Sequence, residues 1–302
     1  MKRIGVTGGT GFIGQYLLKE YKDQYEFAVV CRHTSSKELV QADSIEYIMG
    51  DYSEEMLLKA FEGCDAIVHL GAKRSDKDNE KAFWNYQENI VFSEMIFSVA
   101  KKLGISNVVN ISSTAVYSRN LKAPFKESYA ADPLSFYGVS KRTIELIADQ
   151  YNKKYGMCIK SLRFAQVIGE GEREGYILSV FKNRCIDGLA LSVYGHGRAG
   201  KEYIYVKDAV RGIDAALQNE EKKGIYNIGS GVFTSNRELA EAYCNVFENK
   251  AGYQLLTDKP EDVYDYYMDV SLAEQELGFS CKYDLYASIA DMKKIIEENR
   301  CA

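Results

Sequence analysis

The stretch TGGTGFIG (7–14) decides how the rest of the chain is read. It follows a short β-rich run, RIGVT (3–7), and leads into FIGQYLLKEY (12–21), where Ile13, Tyr16, Leu17 and Leu18 fall near helical spacing. Gly8, Gly11 and Gly14 form G-x-x-G-x-x-G. A glycine at a tight turn permits a positive φ. A second lets the backbone approach a pyrophosphate, and a third lets the helix pack close to the sheet. The helix N-terminus then offers free N–H groups and a partial positive charge to an anion. Three glycines alone would make a plain turn. Placed between the first strand and first helix of a strand–helix series, they predict a dinucleotide site met by Gly8, Gly11, Phe12, Ile13 and Gly14.

That series is present. EFAVVC (26–31), IEYIM (45–49), AIVHL (66–70), NVVNIS (107–112) and CIKSLRF (158–164) read as further strands. Between them lie a helix capped by Ser53, a long helix at about 79–103 closed by Gly104, and a helix near 138–155. The alternation predicts an α/β fold of Rossmann type, a doubly wound parallel sheet. After about residue 165 the pattern loosens. Ser235–Glu238 and Ser271–Glu274 read as capping boxes, and IYVKDAVRGIDAAL (204–217) as a strand feeding a helix. We expect a dinucleotide domain over 1–165 with a later segment near 203–228. The remainder of 166–302 would form a smaller α+β substrate domain.

Composition narrows the function. The chain has 302 residues, 46% hydrophobic and 27% charged, with a net charge of -5. That suits a globular protein with a large core. No basic cluster marks a nucleic-acid partner, and no apolar stretch approaches a membrane span of roughly 18–20 residues. The apolar run of MKRIGVTGG is too short for a signal peptide. Seven cysteines, scattered without a CxxC pair, fit a reducing cytoplasm. His33, His69 and His196 lie far apart, with no metal-site spacing.

Further along stands SFYGVSKRTIELI (135–147), with Tyr137 and Lys141 four apart on one helix face. A tyrosine serves as acid or base on an alcohol or ketone if its pKa falls from about 10 toward neutral. A neighbouring ammonium and a cationic nicotinamide ring both favour the phenolate. The pair alone is weak evidence, because Tyr203–Lys207 repeats it. Its company is stronger: NISSTAVY (110–117) places hydroxyls at the carboxyl end of the fifth strand, where parallel sheets bind ligands.

Together these motifs resemble the extended short-chain dehydrogenase/reductases, the family of nucleotide-sugar epimerases and dehydratases. The resemblance runs through TGGTGFIG, GDYSEE (50–55), VHLGA (68–72), Asn89, NISSTAVY, YGVSK, LRFAQVIG (162–169) and YNIGSG (226–231). It implies a catalytic Ser113, Tyr137 and Lys141, with Ser112 structural and Thr114 beside the site. It implies cofactor contacts from Asp51 and Tyr52 at the adenine, from Leu70, Gly71 and Ala72 at the ribose, and from Asn89 and Phe164. His69 is expected at a strand end with no catalytic part.

In that family the 4,6-dehydratases carry an Asp-Glu pair just after the catalytic Ser/Thr, and the decarboxylases also place a carboxylate there. Thr114 and Ala115 occupy these positions here and can do neither chemistry. The resemblance therefore implies a nucleotide-sugar epimerase, a 4-epimerase of a UDP-sugar. An NADP-dependent reductase of a 4-keto nucleotide sugar and a non-catalytic NAD(P)-binding sensor stay open as alternatives. On the substrate side the usual asparagine is Gln166, and two usual arginines are Lys201 and Lys259 (in KPED, 259–262). Tyr194 matches the position that stacks on the base, or is a core tyrosine.

Two further expectations concern cofactor and assembly. Arg32 ends the second strand, 18 residues beyond Gly14 (32 − 14), where NAD-selective sites carry an acid. Its guanidinium suits a 2′-phosphate, with Ser35, Ser36 and His33 as added donors, and leans the site from NAD toward NADP. Otherwise it stacks on adenine while NAD binds. Trp84, Phe92, Phe97, Ile147 and Tyr151 exceed what one packing face needs, and with the resemblance they imply a homodimer through the helices at 79–103 and 138–155.

Overall fold

In a computed structural model that describes residues 1–32, 39–74 and 82–301, the first half alternates as expected. The order is β1 (Lys2–Thr7), α1 (Phe12–Tyr21), β2 (Tyr25–Cys31), β3 (Ile45–Met49), α2 (Glu54–Ala60), β4 (Ala66–His69), α3 (Trp84–Lys102), β5 (Asn107–Ser113), α4 (Phe136–Tyr155) and β6 (Cys158–Phe164). The second half follows with β7 (Gln166–Ile168), α5 (Ile177–Ile186), β8 (Leu191–Tyr194), β9 (Gly200–Tyr205), α6 (Val206–Gln218), β10 (Gly224–Ile228), β11 (Phe233–Ser235), α7 (Asn236–Val246), β12 (Tyr253–Leu256), α8 (Ser271–Leu277) and α9 (Leu285–Cys301).

A parallel seven-stranded sheet in the order β10-β6-β5-β4-β1-β2-β3 carries the molecule. The order reverses between β1 and β4, which opens a crevice above their carboxyl ends. Both faces of the sheet are covered, so its strands are apolar on both sides: Ile4, Val6, Val29 and Val68 pack in one buried cluster, and Ala28, Val30, Ile67 and Val108 in the other. Helices α3 and α4 pack against each other, and α1 packs against α6.

The later segment enters this sheet differently from the sequence reading. Strand β10 pairs with β6 and α6 covers the sheet, but β9 pairs with β7 and β11 in a separate small sheet. Of the two capping boxes, Ser235–Glu238 forms with both bonds made. Ser271 does not cap; the Asp269 carboxylate accepts its N–H at 3.0 Å, so Ser271 is already helical. Ser53 caps α2 by accepting from the Met56 N–H.

The expected apolar surplus on α3 and α4 is partly core. Phe97 is fully buried, and the Phe92 ring meets Tyr52 and His69 edge-on. The side chains left outside are Trp84 at 77% exposure, with Val91, Leu146, Val139 and Phe136. Among the described residues no helix is long and apolar enough to cross a membrane, and no His/Cys/Asp/Glu group is arranged for a metal.

Candidate active site

The glycine turn sits at the reversal point of the sheet. Gly8 has φ +73°, and a Cβ there would lie 2.7 Å from the Gly71 nitrogen. Only glycine allows both the conformation and the approach of the segment after β4. The Gly11 N–H donates to the Gly8 carbonyl at 3.0 Å, and α1 starts with no side chain capping it. Its first amides therefore remain free for an anion. These features fit a dinucleotide pyrophosphate. Gln15 closes the outer side, donating to the Gly9 carbonyl and accepting from the Val40 N–H. Nothing in the sequence pattern singled it out.

Across the crevice, the end of β4 is held from below. His69 lies between the Thr7 hydroxyl (2.7 Å) and the Ser93 hydroxyl (2.9 Å). Burial, helped by the charge of Lys141, pushes its pKa down to about 3, so it stays neutral and structural. Asn89 does not line the cleft. Both of its side-chain atoms bind the backbone of Lys73, accepting from its N–H at 2.7 Å and donating to its carbonyl at 2.9 Å.

The cleft encloses about 950 Å³. The glycine turn contributes Gly8, Gly11, Phe12, Ile13 and Gly14, and the end of β4 contributes Leu70, Gly71 and Ala72. Ser113 and Thr114 come from the end of β5, Tyr137 and Lys141 from α4, and Phe164 and Gln166 from β6 and β7. Lys201 of β9 closes the far side. Residues remote in sequence thus meet in one cavity.

Several expected contacts lie elsewhere. Asp51 is exposed and accepts from the Ser53 N–H. Tyr52 donates to the Val30 carbonyl, and the Arg32 guanidinium lies 5.3 Å from its ring centre. All three stand at the carboxyl ends of β2 and β3, outside the cleft lining. His33, Ser35 and Ser36 lie outside the described residues. Tyr194 is 56% exposed, so it is not a core tyrosine, and it does not line the cleft. Lys259 is exposed too. Its neighbour Glu261 does the structural work, accepting from the N–H groups of His196, Arg198 and Ala199. Those bonds outweigh burial and hold its carboxyl at about 2.

Helix α4 begins at the site because Ser135 accepts from the Gly138 N–H. This puts Tyr137 in the first turn and Lys141 one turn on. The Lys141 ammonium donates to the Ile111 carbonyl at 2.7 Å and lies 5.9 Å from the Tyr137 ring centre. Burial lowers its pKa to about 8, opposed by Glu145. For Tyr137 the sequence reading expected a lowered pKa. In the protein alone burial dominates and raises it, while Arg74 and the Ser113 hydroxyl pull it back.

Ser112 is structural. It donates to Glu145, whose carboxylate is gripped at both oxygens by the buried Arg163 (2.8 and 2.7 Å). Arg163 also reaches the Tyr117 hydroxyl, which donates to Asn227. This network ties β5, β6, β10 and α4 together beneath the catalytic candidates. Sequence reading missed Arg74, Arg119, Tyr264 and Tyr266, all of which line the cleft. Tyr266 donates to the Thr114 carbonyl and fixes the turn after β5. The aromatic run YDYYMD (264–269) was the available signal.

Residues 4–229 match the model of the NAD dependent epimerase/dehydratase family. The chain is 27% identical to a putative UDP-glucose 4-epimerase of Methanocaldococcus jannaschii over 98% of its own length and 99% of that protein's. Among solved structures, it resembles UDP-N-acetylglucosamine 4-epimerase from Bacillus cereus at 31% identity and a TM-score of 0.87, covering 98% and 99% of the two chains. It also resembles the dTDP-glucose 4,6-dehydratase DesIV of Streptomyces venezuelae, solved with NAD bound, at 25% identity and a TM-score of 0.83, covering 99% and 98%.

Proposed function

The chain belongs to the NAD-dependent epimerase/dehydratase family, and from that premise we propose that it is a nucleotide-sugar epimerase, a 4-epimerase of a UDP-sugar. One observation carries the choice within the family. Ser113, Tyr137 and Lys141 share the cleft with the glycine turn, while Thr114 and Ala115 bring no carboxyl beside Ser113. Glu202, the acid among the described residues of the cleft lining, has its carboxylate turned to the N–H groups of Gly231 and Met268. Elimination of water needs a further acid and base at the sugar. Turnover of a keto-sugar needs none beyond the tyrosine.

Tyr137 removes the proton from the sugar hydroxyl as that carbon gives up its hydride. Ser113 holds the same oxygen. The Lys141 ammonium stabilises the phenolate, and a bound nicotinamide supplies the hydride acceptor and, being cationic, favours that phenolate further. Once the keto-sugar has turned its other face to the nicotinamide site, Tyr137 would return the proton to the same oxygen. Nuclear magnetic resonance of a UDP-sugar panel incubated with the purified protein tests this. The C4 epimer should appear without added coenzyme. Conversion only with added NADPH would make the enzyme a reductase, and no conversion together with retained cofactor would make it a sensor.

The family's solved relatives support NAD as the cofactor class. We infer further that Arg32, at the end of β2, lets the site take NADP(H) at least as well as NAD(H). Arg32→Asp should shift preference toward NAD(H) in a titration of both coenzymes into stripped protein. Tighter binding of NAD(H) by the wild type would refute this role. Scattered cysteines, six of them free among the described residues, support a reducing, cytoplasmic setting.

A further inference from the structure

Gln166 stands on β7 and lines the cleft. In the pairing of β7 with β9 it lies opposite Tyr203, two residues on from Lys201. Lys201 and Arg119 line the same cavity. The part of a nucleotide sugar that answers such cations is its diphosphate. Whether Gln166 can join them depends on which end of its amide faces the cavity. The nitrogen donates to a phosphate oxygen, and the carbonyl cannot.

A residue outside the cleft lining makes that choice. The chain turns after β7 through Gly171, at φ +87°, and the Glu172 N–H donates back to the Gly169 carbonyl at 3.3 Å. This turn folds the buried Glu172 behind Gln166, where its Oε1 accepts from the Gln166 Nε2 at 2.9 Å. A carboxylate only accepts, so it holds the amide by its nitrogen. The same nitrogen lies 3.5 Å from the Val167 carbonyl oxygen. The carbonyl is then the end left for the cavity. A protonated Glu172 reverses the pair: its hydroxyl donates to the Gln166 carbonyl, and the nitrogen is released. The charges that act on Glu172 are Arg74 from the segment after β4, Lys201 of β9 and Lys182 of α5, the last paired with Glu170 and Glu174. The Tyr203 and Tyr243 phenols also feel it, and burial keeps both protonated. Burial of Glu172 outweighs the cations and pushes it up to about 7, so both of its states are populated near neutrality.

We propose that Glu172 is a positioning residue: acting through Gln166, it decides whether the cleft meets the substrate's diphosphate with a hydrogen-bond donor or an acceptor. This rests on the nucleotide-sugar reading and adds a control to that same site. UDP-glucose is the probe, because its diphosphate keeps one charge on both sides of neutrality. Its Kd is measured by titration calorimetry on the coenzyme-loaded protein at about pH 6 and about pH 8, either side of the Glu172 transition, for the wild type, Glu172→Gln and Gln166→Met. The wild type should bind about 3- to 10-fold more weakly at the higher pH, the range of one hydrogen bond. Glu172→Gln, whose amide donates to the Gln166 carbonyl at either pH, should bind at both as the wild type does at the lower. Gln166→Met should bind weakly at both. A wild type whose affinity does not fall with pH overturns the inference. So does a fall that persists in Glu172→Gln, which would belong to Lys201, or in Gln166→Met, which would make Glu172 act by its charge alone. In each of these cases the binding itself leaves the nucleotide-sugar reading standing. No binding of UDP-glucose by any of these proteins overturns both.

Discussion

Lys141 keeps its ammonium buried, where it donates to the Ile111 carbonyl and Glu145 lies one turn on. In the proposed epimerase that charge favours the Tyr137 phenolate, and Tyr-x-x-x-Lys gained meaning once NISSTAVY stood beside it. Ser113, Tyr137 and Lys141 were legible because each sits in a local motif. Glu172 was not: its environment comes from Gln166, Arg74, Lys201 and Lys182, brought together only by folding. Burial, outweighing those cations and Gln166, raises its pKa from 4.5 to about 7. A carboxyl that holds its proton more tightly folded than unfolded favours the fold at low pH. That contribution falls as pH climbs from about 4.5 to about 7, by at most about 3 kcal/mol. Glu172→Gln mimics the protonated form, so its melting temperature relative to the wild type should rise between pH 5 and pH 8. A difference that stays constant across that range would contradict the assigned environment.

Helix α4 and the turn at Thr114–Val116 form the element pair on which the geometry depends. They touch through Gly138, where an added Cβ would lie 2.2 Å from the Ala115 carbonyl oxygen and 2.8 Å from Pro133. Gly138→Ala must separate them and carry Tyr137 away from Ser113. Overpacking of this kind costs about 1–3 kcal/mol of stability. A shift near 1 Å costs about 100-fold in turnover. Denaturant unfolding and kcat together check this, and a variant with normal kcat would show that the contact does not set the geometry. Sequence patterning found α4 and its partner strand because hydrophobic period and capping are local. It read β9 with the later dinucleotide segment, because a short apolar strand carries no record of which sheet it joins. It misread Ser271 as a cap, because an acid two residues earlier, Asp269, competes for the same N–H.

For the whole molecule, the parallel sheet and the cleft at its reversal point follow from the strand–helix alternation and the glycine turn together. What escaped the sequence is the far wall of the cleft, built from Arg74, Arg119, Tyr264 and Tyr266 on separate loops without a periodic signal. The exposed Trp84, Val91, Leu146, Val139 and Phe136 on α3 and α4 support a two-fold homodimer, though not through Phe97. Light scattering at micromolar concentration should give twice the 34.1 kDa chain mass, and Trp84→Glu with Leu146→Glu should give the monomer. A monomeric wild type would leave those side chains without this role. In the proposed epimerase Tyr137 moves the proton of a sugar hydroxyl. Its most direct measurement is turnover of the accepted nucleotide sugar by Tyr137→Phe, with the coenzyme content of the same sample determined by mass spectrometry. Turnover should fall by about 10²–10⁴-fold with coenzyme still bound. Near-normal turnover by the coenzyme-loaded variant would contradict it.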